Sequence, residues 1–357
     1  MNQNFQLPFY AKTALLAICF FALAYTLQIG QDILVPIVYA VLLAILLNPL
    51  VNLFMKKMNR ILAITLAVTL ATVFLFVVIF IIVKQLTFFS DTFPQFELKF
   101  NQMSNDLIHW IAFKFDLKLN DIHLWINGTK QDVLYNLEIG KSISRVGQSL
   151  VTLLMLPVYL IMILYYKPLF LEFIKKLFSV KYHKTVAEVL QNSKTIVQSY
   201  LVGLLVEMVI IAVLNSVGLL ILDIDYAILL GILGAILNVI PYLGGIIGVI
   251  IFMIIALVTK SPVYMVYVSI LYSIIQFIDN NYIVPKIVAS RVQINAFVSV
   301  IVVFIGGALW GLSGMFLSIP LTAILKVIFD HIDSLKPWGF FLGNIVPTKK
   351  RLIKTKK

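Results

Sequence analysis

The chain has 357 residues, of which 61% are hydrophobic and only 12% charged, with a mean hydropathy of +1.01. Soluble domains are about half apolar and a quarter charged, so this composition excludes a soluble globular protein and identifies an integral membrane protein. The net charge of +12 reads as the Lys and Arg excess of cytoplasmic loops, not as a nucleic-acid surface, and no nucleic-acid partner is expected.

Apolar runs lie near 11–29, 33–54, 61–83, 147–166, 197–222, 226–258, 262–278 and 294–329. Runs of about 20 such residues cross a bilayer, so a polytopic all-α bundle is expected. The first run carries Lys12 at its start and "ALA" at 22–24, features shared with signal peptides. The second run follows after only "QIGQD", which favours a retained helix. "KKMNR" follows the second run, Lys167, Lys175, Lys176, Lys181, Lys184 and Lys194 follow the fourth, and the tail ends "KKRLIKTKK". The positive-inside rule puts these three segments, and both termini, in the cytoplasm and residues 90–142 outside.

In the outer segment Phe93, Phe96, Phe100, Met103, Leu107 and Trp110 recur at helical steps, and Asp121 to Leu137 reads as a second helix broken at Asn127-Gly128. A cap on the bundle or a subunit contact is the expected role. Residues 168–195 read as a cytoplasmic helix whose lysines face anionic headgroups. The expected divisions are therefore 1–89, 90–142, 143–196, 197–330 and a basic tail, 331–357.

Several chemistries are excluded. Cys19 is the sole cysteine, and the four histidines fall outside the apolar cores without ligand spacing, so neither a metal nor another cofactor is expected. "GLSG" at 311–314 matches an intramembrane serine protease pattern through Ser313, but no membrane run supplies a histidine as base. No G-x-x-x-x-G-K-[ST] motif is present; a non-enzyme that does not use ATP directly is expected.

The runs at 226–258 and 294–329 are too long for single straight spans: 33 residues at about 1.5 Å each far exceed a hydrocarbon core of about 30 Å. Each carries breakers near its middle, Pro241, Gly244 and Gly245 in "PYLGG" and Gly306, Gly307, Gly311 and Gly314 in "GGALWGLSG". Either each is one kinked span, giving eight crossings, or each folds back as a hairpin, giving six. In both cases the freed main-chain groups must be buried in protein or line a wet cavity. Paired interrupted segments point to a transport path, with Asn238 placed to lend its amide to the freed groups.

Polar residues within the runs add candidates. Glu207 stands alone in the fifth run and is costly at that depth, which makes it a proton- or cation-coupling candidate. Gln276, Asp279 and Asn280 fall at i, i+3 and i+4 on one helix face, with Pro285 ending the segment.

The ordered set Asn238-Val-Ile-Pro241-Tyr242-Leu-Gly244 with Gly248, Asp279-Asn280 with Pro285, and Gly306-Gly307, Gly311, Gly314 and Pro320 resembles the C-terminal signature of the autoinducer-2 exporter family. "LPVYLIMILYYKP" at 156–168 and "DILVPIVYAVLLAILLNPL" at 32–50 also look like that family, so the likeness covers nearly the whole chain. Gly245 and Ala296 stand where members often carry proline. The resemblance implies a homo-oligomeric polytopic transporter of the bacterial inner membrane and does not fix its substrate; the first reading is a secondary transporter moving a small polar solute such as autoinducer-2. Sodium–proton exchange through Glu207 or Asp279 is the alternative, and a non-transporting scaffold the third reading.

Overall fold

The structure, a computed structural model, describes residues 8–115, 139–240, 243–289 and 293–344. Helices account for nearly all of them: α1 (Phe9–Ile29), α2 (Gln31–Phe54), α3 (Arg60–Phe115), α4 (Ile139–Leu177), α5 (His183–Ile221), α6 (Ala227–Asn238), α7 (Leu243–Thr259), α8 (Pro262–Ile278), α9 (Ala296–His331) and α10 (Lys336–Leu342). Among the described residues the β pairing is a single bridge, Ile294 to Gly343. Seven helices are long and apolar enough to cross a membrane, while α6 and α7 are apolar but shorter. The chain is a polytopic, all-α membrane protein. Its outward side chains agree, since Phe20, Phe74, Phe80 and Leu312 are all more than 60% exposed, as lipid-facing residues should be.

Local chemistry sets the helix ends. Pro262 occupies the first turn of α8 behind Ser261, where its missing N–H costs nothing. Asn295 caps α9 by accepting from the Val298 N–H at 2.9 Å. Its amide also donates to the Phe341 and Gly343 carbonyls at 2.7 and 3.0 Å, which ties the start of α9 to the end of α10.

Two elements depart from expectation. Helix α3 runs unbroken through residues 89–90 to Phe115, so the division drawn there falls inside one helix. Near its end Ile108 and Ala112 are buried and Trp110 is 57% exposed; the covered face there is not the one that carries Trp110. The side chains of Phe93, Phe96, Phe100, Met103 and Leu107, and the Asp121–Leu137 segment with Asn127-Gly128, lie outside the described residues. Finally, Pro285 does not end its segment, because Asp279–Ala289 continues as π-helix. The wider i→i+5 register changes which amide each carbonyl needs and so accommodates a residue without N–H.

The chain divides into two compact units. One comprises Met1–Leu53, Val158–Tyr200 and Arg291–Lys357, the other Phe54–Pro157 and Leu201–Ser290.

Both long interrupted runs fold back on themselves. In the second unit α6 and α7 form a hairpin: a Cβ on Gly248 would lie 3.9 Å from the Cα of Gly234, and one on Gly244 would meet the Leu237 carbonyl oxygen at 1.7 Å. In the first unit α9 reverses at Trp310 (φ −134°, ψ 20°) and Gly311 (φ 58°, ψ −141°). A Cβ on Gly306 would sit 3.1 Å from the Ser318 Cβ, whereas twelve residues of straight helix would separate them by about 18 Å. The Trp310 indole N–H donates to the Leu27 carbonyl of α1 at 2.9 Å, and Tyr39 of α2 stacks on Phe316 with ring centroids 5.7 Å apart. These contacts anchor both sides of the reversal.

Hairpins give a topological expectation. Single cysteines replacing Lys260 and Lys286, in a Cys19→Ser background, should label with an impermeant maleimide from outside and inside respectively. The opposite pattern would establish eight crossings.

Candidate functional site

Three helices of the second unit bring their polar residues together. Glu207 comes from α5, Asn238 from the last turn of α6, Gln276 from the end of α8, and Asp279 from the point where α8 passes into π-helix. The Asn238 Nδ2 donates to Glu207 Oε1 at 3.3 Å and to Asp279 Oδ2 at 3.0 Å, and its Oδ1 accepts from Gln276 Nε2 at 3.5 Å. One side-chain amide thus bridges two carboxylates and is itself held by a second amide. Glu207 is 7% exposed and Asp279 1%.

An apolar layer one helical turn away explains why these four residues meet. Ile211 follows Glu207 by four residues, Ala235 precedes Asn238 by three, and Ile275 precedes Asp279 by four; these three pack together with Ile283. Steps of three and four place each pair on one helix face, so packing the apolar residues brings the polar ones into register. A second apolar cluster holds the hairpin against α8 through Phe252, Val268 and Tyr272, the Phe252 and Tyr272 rings meeting edge-on at 5.7 Å. A Cβ on Gly234 would approach the Phe252 ring at 2.5 Å, so α6 and α7 can close only over a bare backbone.

The expectation for Asn238 needs correction. Its amide goes to the carboxylates, not to main chain freed by the break. The chain satisfies that break by tightening: the Val239 N–H reaches Ile236 O at 3.3 Å and the Ile240 N–H reaches Leu237 O at 2.9 Å. Asn280 also differs. It is exposed, because the widening at Asp279 turns the next residue off the face that Gln276 and Asp279 share. Gly245 and Gly248 face the Tyr272 hydroxyl, which a Cβ on either would meet at 3.2 and 3.4 Å. Pro241 and Tyr242 lie outside the described residues. Gly306, Gly307, Gly311 and Gly314 form the other hairpin, in the other unit, where Gly306 meets Gly314 and Gly307 meets Met315.

Two acceptors in this unit are orphaned: Asp279 Oδ1 and Asn215 Oδ1 are buried without a hydrogen-bond partner among the described residues. Asn215, 2% exposed, was not singled out by sequence, although Glu207, Ile211 and Asn215 form an i, i+4, i+8 stripe down α5. Tyr272 was also overlooked; it precedes Gln276 by one turn on the same face. Between α7 and α8, Lys260 donates to Asp223 at 2.5 Å, and that hydrogen bond holds its ammonium above the usual lysine range.

Two buried carboxylates sharing one neutral amide donor can take up a proton or a small cation, since like charges this close in an apolar surround are not both left bare. No group of three or more His, Cys, Asp or Glu suited to a metal ion occurs among the described residues.

Residues 14–334 match a family model described as "AI-2E family transporter". A Borreliella burgdorferi protein named "Putative transport protein" is 33% identical over 133 residues, 37% of each chain. "Putative transport protein YrrI" of Bacillus subtilis is 32% identical over 132 residues, again 37% of each. "Putative permease PerM" of Escherichia coli K12 is 39% identical over 57 residues, 16% of each. The matched stretches span little more than a third of the length of the first two relatives.

Proposed function

This chain belongs to the AI-2E transporter family, and from that premise we propose that it is a gradient-coupled secondary transporter of the bacterial inner membrane, with Glu207, Asn238, Gln276 and Asp279 as its coupling-ion site. The observation that carries this reading is the single Asn238 amide bridging two buried carboxylates at the tip of a hairpin. A half-helix ending at membrane depth beside ionisable side chains is how many secondary transporters build their ion sites, and an intramembrane acid is a functional candidate by default. The orphaned Asp279 Oδ1 supports it further, because a proton or cation there would satisfy an acceptor otherwise left bare.

The transported species on this reading is a small polar solute, such as autoinducer-2, moved by a homo-oligomer whose termini face the cytoplasm. The second reading, exchange of Na⁺ for H⁺, is favoured by the pairing of the acids: two carboxylates on one donor offer sites that a proton and a sodium ion can occupy in turn. Flux in proteoliposomes under an imposed pH or sodium gradient separates the two. Solute accumulation driven by the gradient supports the first, and counterflow of Na⁺ and H⁺ without added solute supports the second. Folded protein that passes neither would leave a membrane scaffold as the role.

A further inference from the structure

The first unit contains a second polar site. A cavity of about 690 Å³ lies among α2, the end of α4, the start of α5 and the last turns of α9. Lys167, Lys175, His183 and Lys194 line it, and no acidic residue does so among the described residues. Lys167 and Lys175 stand two turns apart on one face of α4, so both ammonium groups reach the same side. The Lys167 Nζ donates to Asn48 Oδ1 at 2.6 Å, and Asn48 is only 5% exposed, which fixes that lysine in the wall. Ser193 Oγ, also in the wall, is buried with no hydrogen-bond partner among the described residues. The remaining walls are apolar, Ile45, Leu171 and Ile328 among them.

We propose that this cavity binds the phosphate group of an anionic phospholipid, with Lys175, Lys194 and Lys167 on the phosphate and the aliphatic walls along the acyl chains. A soluble anion would use the lysines but gain nothing from the apolar walls, while a neutral lipid would use only the walls. A lipid phosphate uses both, and lysines are drawn to the anionic headgroups of a membrane surface. The basic lining residues come from the last third of α4 and the first third of α5, the stretch of sequence in which many of the lysines gather. The site is independent of the Glu207–Asp279 cluster, and its test does not involve transport.

The test is thermal unfolding of the full chain in neutral detergent, titrated with phosphatidylglycerol, phosphatidylcholine or inorganic phosphate. Phosphatidylglycerol should raise the melting temperature and the other two should not. Lys175→Gln/Lys194→Gln should weaken the apparent affinity for phosphatidylglycerol at least tenfold, whereas the charge-matched pair Lys181→Gln/Lys184→Gln, outside the cavity, should leave it unchanged. Lys175→Arg/Lys194→Arg should restore it. Equal stabilisation by phosphatidylcholine, or a shift indifferent to the cavity lysines, would overturn the proposal. A shift reproduced by inorganic phosphate alone would overturn the lipid assignment in favour of a soluble anion.

Discussion

Glu207→Gln and Asp279→Asn are each expected to lower gradient-driven flux at least tenfold, about 1.4 kcal/mol or more in the rate-limiting step, while the protein stays folded. Both replacements keep the shape of the side chain and a carbonyl oxygen that can accept from the Asn238 amide. What they remove is the ability to bind and release a proton or to neutralise a cation. Stability should move the other way, because neutralising one of two close buried carboxylates relieves like-charge repulsion. Asn238→Leu should do the reverse. It strips the bridging donor from both carboxylates at once, and leaving buried acceptors unmet costs about 1–3 kcal/mol each. Its melting temperature should therefore fall well below that of either acid variant. This split, with activity lost in stable acid variants and stability lost in the amide variant, distinguishes an ion site from a structural hydrogen-bond cluster. Flux at the parental rate in both acid variants would remove the coupling role.

The existence of the elements, and the ends of some, were legible because hydrophobicity over membrane length is a strong signal. The runs read at 11–29 and 262–278 correspond to Phe9–Ile29 and Pro262–Ile278. Where a polar stretch continues the same helix, as in α3 beyond Lys84, the change in hydropathy marks where lipid would end and not where the helix does. At the site, Glu207, Gln276 and Asp279 stood out because charge and amide are expensive in an apolar run. Asn238 stood out for the wrong reason, its neighbour Pro241, since its partners lie 31 and 41 residues away and no local spacing encodes them. Asn280 leaves the face that Gln276 and Asp279 share because the i, i+4 rule assumes α-geometry and the backbone turns to π-helix at Asp279. The hairpins were left undecided against kinked spans, since glycine and proline permit either. The choice falls to which glycines meet, and that depends on tertiary packing.

That choice can be tested where the α9 hairpin closes. Gly314→Ala should destabilise the protein by about 1–3 kcal/mol, the usual cost of overpacking, and should lie at the upper end. The added carbon would stand 1.9 Å from the Gly306 carbonyl oxygen, and main chain cannot rotate aside as a side-chain tip can. Gly306→Ala meets the same contact from the other strand of the hairpin, at 2.3 Å from the Gly314 carbonyl oxygen. The double variant should therefore cost less than the two single effects added, because whichever methyl comes first has already forced the two halves apart. Gly311→Ala separates conformation from crowding. Nothing lies within 4 Å of its would-be Cβ, yet φ of 58° with ψ of −141° is a region essentially reserved for glycine, so strain alone should cost about 1–3 kcal/mol. It should add independently to Gly314→Ala, since the two act by different means. Melting curves of the three single and two double variants in one detergent decide the matter. In a continuous kinked span, residues 306 and 314 would be two turns apart, Gly306→Ala and Gly314→Ala would each be nearly silent, and their combination would be additive.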